Sequence, residues 1–300
     1  MNKYHEPVLL NQSIEGLVIK PRGIYVDVTF GGGGHSREIL KFLSSGKLVA
    51  IDQDQDALKN KIQGDNKFIM INTNFRNLTE TLRSLNIFKI DGLIADLGVS
   101  AYHFTDNNRG FSIKYDSLID MRMNKSILKR GVDIINNYHE KELKRILKEH
   151  ADFKNPANII SLIINARKKN EIKTTFEFKK IFKDVVSPKY ENQFFARLFQ
   201  AIRIEVNDEI NALKDLLIQS SNLLNPSGRL VILSYHSIED KIVKSFMKFG
   251  NFNNHPEKDF FGNQSNPFRL VTKKPITPSD EEIKLNNKSR SAKLRVCEKI

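Results

Sequence analysis

Four short apolar runs alternate with helix-like segments through the first third of the chain, and this rhythm restricts the fold more than any other feature of the sequence. Residues 23–28, 47–52, 68–71 and 91–96 read as strands, with helices expected over 36–43, 55–62 and 78–85. Strands this apolar, separated by helices, belong in a parallel sheet covered on both faces. The rhythm stops at about Asp106. From there to Arg203 no convincing core strand is visible; helices are expected over 133–149, 156–169 and 175–186, then a long one over 193–224. The pattern resumes with a strand over 228–235, a helix over 239–249 and two strands near 268–272 and 292–297. The simplest account is an α/β domain built from residues 1–106 and 204–300, interrupted by a helical insert at 107–203. The last two strands have no full helix between them, which predicts an antiparallel hairpin at one sheet edge.

With 300 residues, 40% of them hydrophobic, and 20 Phe, the chain can bury a sizeable core. Its formal charge of +13 has two readings: a surface made for a polyanion, or a Lys-rich composition that only solvates the surface. Cys297 is the sole cysteine, which excludes an internal disulfide and a Cys-rich metal site and suits packing better than reactivity. The histidines are scattered without metal-ligand spacing, so no metal is expected. Apolar runs are strand-length, and the first residues carry no signal core, which points to a cytoplasmic protein without a membrane span.

After the first strand comes Gly31-Gly32-Gly33-Gly34-His35. A parallel strand must turn sharply at the carboxyl edge of its sheet, where ligands bind, and glycines there permit positive φ and close backbone approach. The dinucleotide pattern G-x-G-x-x-G is not met cleanly, because Ser36 takes the third place. A dinucleotide also needs helix N–H groups for its pyrophosphate, a group that S-adenosylmethionine lacks. Asp52 ends the second strand about 20 residues later, as expected of a carboxylate that accepts ribose hydroxyls. Asp54 is the better cap for the next helix, which leaves Asp52 free to bind. Asp96 ends the fourth strand. Glycines, Asp52 and Asp96 at three strand ends converge on one crevice.

These residues and others resemble a known family, the bacterial small-subunit rRNA cytosine-N4 methyltransferases (RsmH or MraW). The resemblance runs nearly end to end, through Asp27-Val28-Thr29-Phe30-Gly31-Gly32-Gly33-Gly34-His35-Ser36, Asp96-Leu97-Gly98-Val99-Ser100, Arg109-Gly110-Phe111-Ser112, Asp120-Met121-Arg122-Met123, Ile202-Arg203-Ile204-Glu205-Val206-Asn207 and Ser234-Tyr235-His236-Ser237-Ile238-Glu239-Asp240. It implies a Rossmann-like S-adenosylmethionine-dependent methyltransferase sheet with an inserted helical domain. The implied reaction is methylation of N4 of a decoding-site (P-site) cytidine in 16S rRNA of the small (30S) ribosomal subunit. By residue match the donor contacts are Gly33, Gly34, His35, Asp52, Phe75, Asp96 and His103, although the family usually carries Gln at the last position.

Cytosine N4 is a poor nucleophile, so an enzyme must orient it and accept a proton. Asp96 or Ser100 is the expected acceptor. Arg109, Phe111, Tyr115, Met121 and Arg122 follow the fourth strand's loop and are assigned to the substrate pocket, with a packed hinge as the other reading of Met121. His236 is expected either to hold the base or to cap the next helix. Basic runs at Lys141/Lys144/Arg145/Lys148, Arg167-Lys168-Lys169 and Lys179-Lys180/Lys183 suit rRNA phosphates, as do Lys273-Lys274 and Lys293. A nicotinamide-dependent oxidoreductase and a non-catalytic ribosome-assembly factor are the competing classes. Monomer and homodimer both stay open.

Overall fold

The computed structural model describes residues 7–99, 108–256 and 266–300. The chain divides into two compact units, residues 1–98 with 210–300, and residues 99–209.

The first unit is built on seven strands: β1 (Ile24–Asp27), β2 (Lys47–Asp52), β3 (Phe68–Asn72), β4 (Ile90–Asp96), β5 (Leu224–Ser234), β6 (Phe268–Leu270) and β7 (Lys293–Lys299). They lie in the order β3-β2-β1-β4-β5-β7-β6. The first five are parallel, and β7 runs antiparallel to both neighbours. This is the parallel sheet that the strand–helix rhythm predicts, with the last two strands antiparallel at one edge as expected. Alternate residues face opposite sides of a strand, and both sides here are covered. Val26, Val49, Ile51, Leu93 and Ile232 join a core with α3 (Leu78–Ser84), α9 (Glu209–Leu223) and α10 (Ser237–Phe249). Tyr25, Leu48, Ala50, Ile94 and Val231 face α1 (Leu10–Leu17) and α2 (Gly34–Phe42). The central strands are therefore apolar throughout rather than alternating. Cys297 is fully buried in β7, where burial pushes its thiol well above the usual range.

The second unit contains α4 (Gly131–Asn137), α5 (Glu140–Glu149), α6 (Ala157–Lys169), α7 (Thr175–Lys180) and α8 (Glu191–Asn207). Its centre is aromatic: the Phe178–Phe182, Phe182–Phe194 and Phe194–Phe195 ring pairs sit 5.6, 5.3 and 5.2 Å apart, all edge-on. Each such contact adds about 0.5–1.5 kcal/mol beyond its buried area.

Three expected helices are shorter than the sequence suggests. The run 193–224 is two helices, because Asp208 takes the left-handed conformation (φ 50°) between α8 and α9; Asp tolerates this better than most residues. The run 133–149 breaks at Tyr138 and His139, both extended, where the Glu142 carboxylate accepts from the His139 N–H and opens a new helix. The run 175–186 is helical only to Lys180, ahead of β-branched Val185 and Val186 and then Pro188. Among the described residues no helix is long and apolar enough to cross a membrane.

Candidate active site

Because β1, β2, β4 and β5 are parallel, the residues that end them share one edge of the sheet. Beyond Asp27 the chain stays in register for three more residues: the Val28 N–H donates to the Ile94 carbonyl and the Phe30 N–H to the Ile51 carbonyl. This lays the glycine turn between the ends of β2 and β4 and ties it to both. The Gly31 N–H donates to Asp52 Oδ2 at 2.8 Å, and the Asp96 N–H donates to Thr29 Oγ1 at 2.6 Å. The Asn60 side-chain amide closes the outer side by donating to the Gly31 carbonyl at 2.9 Å. Glycines, Asp52 and Asp96 are thus brought together.

Two of the glycines are required by their surroundings. Gly33 has φ +76°, and a Cβ there would meet the Phe30 ring at 2.6 Å; a Cβ on Gly34 would meet Pro7 at 2.1 Å. Helix α2 starts from this turn. Its second residue, His35, is buried, with a hydrogen bond to the Val8 backbone and, among the described residues, no partner for Nε2. Burial lowers the His35 pKa, so the imidazole is neutral at physiological pH.

Under the turn lies Asp27, a residue to which sequence reasoning gave no role. Its Oδ2 accepts from Ser36 Oγ at 2.7 Å and its Oδ1 from the Thr29 N–H at 3.2 Å, which braces the turn against the start of α2. Burial raises its pKa. The same cause pushes Asp52 up to about 6 and Asp96 up to about 7. The three carboxylates also repel: Asp96 raises Asp27, and Asp27 raises Asp52. The edge therefore gathers three acidic groups, and among the described residues no Lys or Arg forms an ion pair with any of them. It favours a ligand carrying positive charge and opposes a pyrophosphate.

Asp96 has a second partner missing from the sequence reading. Tyr235, just past β5, donates from its phenol to Asp96 Oδ1 at 2.7 Å. Its backbone N–H donates to Glu239 Oε2 at 3.0 Å. Burial, then the charge of Asp96, raise the phenol well above its usual range, so it remains a donor. The only available sequence signal was position, since Tyr235 follows a parallel strand at the ligand edge.

The remaining candidates separate. Phe75 opens a short 3-10 turn after β3 and is half-buried against the first unit's core. His236 caps α10, with Nδ1 accepting from the Glu239 N–H at 3.4 Å; Nε2 lies 3.2 Å from Glu239 Oε1 without hydrogen-bond alignment. Of its two expected roles the cap is the one seen. Asp54 caps the turn after β2 by accepting from the Asp56 N–H, as expected. Ser100 and His103 lie outside the described residues.

In the second unit, Arg109 is 3% exposed and Nη2 donates to the carbonyls of Arg122 and Met123, at 2.6 and 2.8 Å. Arg122 forks onto Asp120, and Phe111, Met121 and Met123 are buried in the helical core. Of the stretch assigned to the substrate pocket, only Tyr115 is well exposed. The Arg109 guanidinium thus ties the two ends of the 109–123 segment together, and Phe111 and Met121 pack in the helical core. Arg167 likewise turns inward, to the carbonyls of Ile135 and Tyr138.

A model of the MraW methylase family matches residues 2–300. The chain belongs to that family. It is a methyltransferase, and S-adenosylmethionine is its methyl donor. It is 49% identical over 299 residues to the ribosomal RNA small subunit methyltransferase H of Christiangramia forsetii, covering 99% of this chain and 98% of that protein. The protein of the same name from Flavobacterium johnsoniae is 48% identical over the same shares. Among solved structures, an rRNA methylase from Streptococcus thermophilus is similar at 14% identity and TM-score 0.45, covering 99% of each chain.

The acidic edge fits this donor. S-adenosylmethionine carries a sulfonium and an ammonium against a single carboxylate, so its net charge opposes that of the site. The unpartnered Nε2 of His35 offers a polar contact beside Gly33 and Gly34.

Proposed function

We propose that this methyltransferase methylates N4 of a P-site cytidine in 16S rRNA of the small ribosomal subunit. The observation that carries the donor half of this reading is the cluster of Asp27, Asp52 and Asp96, three mutually repelling carboxylates at one sheet edge. The substrate half is supported by the near full-length likeness to small-subunit rRNA methyltransferases.

Gly33, Gly34 and His35 would hold the amino-acid end of the donor, Asp52 the ribose and Phe75 the adenine. Each Asp52 oxygen accepts one backbone N–H, from Gly31 and Asp54, which fixes the carboxylate and leaves a lone pair on each oxygen for a hydroxyl. When bound, S-adenosylmethionine supplies an electrophilic methyl group on a positively charged sulfur. Asp96 accepts a hydrogen bond from the N4 amine and then its proton. A carboxylate pushed up to about 7 is matched to that task at neutral pH. Tyr235 keeps one Asp96 oxygen engaged and so orients the other. Ser100 is the alternative acceptor. The base must leave its stack to reach this edge, and the exposed lysines of α5, Lys141, Lys144 and Lys148, suit the surrounding phosphates.

The test is transfer of labelled methyl from S-adenosylmethionine to 30S subunits, free 16S rRNA and DNA, followed by nucleoside analysis. Label in N4-methylcytidine from rRNA is expected. Label in no cytidine contradicts the assignment, and donor binding without transfer would identify an assembly factor instead.

A further inference from the structure

A second feature of the first unit is not used by the donor site. Between α10 and the β6–β7 edge lies a groove with a cavity volume of about 480 Å³. Its floor is apolar, from Met247 and Leu270, and among the described residues its charged lining is all cationic: Lys244, Lys248, Lys273 and Arg295.

These four cations are not equivalent. Arg295 is buried and spends its charge on Asp240, Nε to Oδ1 at 2.7 Å, a carboxylate that also takes Lys293 at 3.1 Å. Lys244, Lys248 and Lys273 are exposed, and among the described residues none reaches a carboxylate. Lys20, Lys41 and Lys59 elsewhere on the same unit are all ion-paired. Lys244 and Lys248 stand one turn apart on α10, where like charges repel. Lys244, Lys273 and Lys248, whose ammonium also lies 4.7 Å from the centre of the Phe249 ring, concentrate positive potential along the groove with no carboxylate among the described residues to offset it. An anion would relieve that repulsion.

We infer that this groove is a docking surface for the sugar–phosphate backbone of the RNA substrate, separate from the site that transfers the methyl group. At about 480 Å³ the groove has more room than a single phosphate fills, and its apolar floor suits the sugar face of a strand. Its place in the sheet keeps it away from the chemistry. Arg295 pairs with Ile232, below the carboxyl end of β5, and Lys244 to Lys248 occupy the half of α10 that leads away from that edge. The groove therefore sets affinity and register without touching the reacting atoms. This rests on an rRNA substrate.

The test compares Lys244→Gln/Lys248→Gln/Lys273→Gln with Lys20→Gln/Lys41→Gln/Lys59→Gln, which removes the same total charge from paired positions. Binding of each to 30S subunits and to free 16S rRNA is followed across a salt series. Each phosphate contact contributes roughly 0.7–0.9 to the slope of log K against log salt. The groove variant is expected to lose about 2 from that slope and to bind roughly tenfold or more weakly at low salt, with kcat at saturating RNA and affinity for S-adenosylmethionine unchanged. Equal slopes for the two variants would overturn the inference, as would tight, saturable binding of inorganic phosphate lost only in the groove variant. Wild-type protein that neither binds nor methylates rRNA would instead defeat the underlying substrate reading, a distinguishable result.

Discussion

Asp96 at the carboxyl edge of the sheet and Glu205 on α8 of the helical unit are both acids withdrawn from water, and their surroundings treat them in opposite ways. Burial would raise the pKa of each. At Glu205 the opposing contacts win: His150 Nε2 at 3.1 Å, Arg145 Nη2 at 2.8 Å and the Tyr138 phenol at 2.7 Å hold it down to about 2. At Asp96 a single neutral phenol does not offset burial, and the group sits at about 7. The helical unit completes its charge network internally. The sheet edge leaves its network short of positive charge. A carboxylate with all its partners holds a fold together, whereas one kept short of them has a use for a cationic ligand.

Substituting the two acids separates these roles most strongly. Asp96→Asn should lower methyl transfer by about 10²–10⁴-fold, the range for losing a general base, with thermal stability unchanged or slightly higher. Full turnover with normal donor affinity would remove Asp96 from the chemistry. Glu205→Ala should do the reverse. It takes the acid from His150 Nε2 and the Tyr138 hydroxyl and leaves Arg145 only Glu149, and should destabilise the protein by about 2–3 kcal/mol in denaturant titrations, somewhat under the loss for a fully buried pair because Arg145 is partly exposed. A stability change under 0.5 kcal/mol would break the contrast.

The pH dependence of stability should also run in opposite directions. The folded pKa of Glu205 lies below its ordinary 4.5, so its contribution is present above that value and lost as pH falls toward 2. Those of Asp52 and Asp96 lie above 3.8, so the ligand-free fold is favoured at low pH and loses that contribution as pH rises through about 6 to 7. Chemical denaturation of ligand-free protein between pH 3 and 8 reads both, with Asp96→Asn and Glu205→Ala each expected to flatten one limb.

Smaller effects sharpen the picture at the donor edge. Asp52→Asn should weaken S-adenosylmethionine binding roughly tenfold, about the value of one charge-assisted hydrogen bond, with little effect on folding. Tyr235→Phe should change kcat by a few-fold only while moving the acidic limb of its pH profile upward, since the phenol favours ionised Asp96. An unmoved limb would make Tyr235 a packing residue.

Much of the sheet was legible because burial on both faces writes strands as unbroken apolar runs; Lys47–Asp52 matches its expected bounds residue for residue. Helix ends were less legible. The left-handed Asp208 and the extended Tyr138–His139 step have no strong local signal, since Asp and His occur within helices too. Helix α1 escaped because eight residues give a brief periodic pattern. At the edge itself, Asp52 and Asp96 could be singled out because each ends a strand. Their partners could not: Thr29 lies 67 positions from Asp96 and Tyr235 lies 139 away, and only the sheet order brings them together. The inward turn of Arg109, which is 3% exposed, was equally hidden, since a sequence does not show which way a guanidinium points.

The claim that the carboxyl edge awaits a cationic donor is tested most directly by calorimetric titration of the ligand-free protein at pH 6.5, in two buffers of different ionisation enthalpy. S-adenosylmethionine should bind with net release of protons, as the positive ligand forces Asp52 and Asp96 to ionise, and NAD should show no binding. Binding of NAD, or binding of S-adenosylmethionine with no buffer-dependent heat, would contradict it.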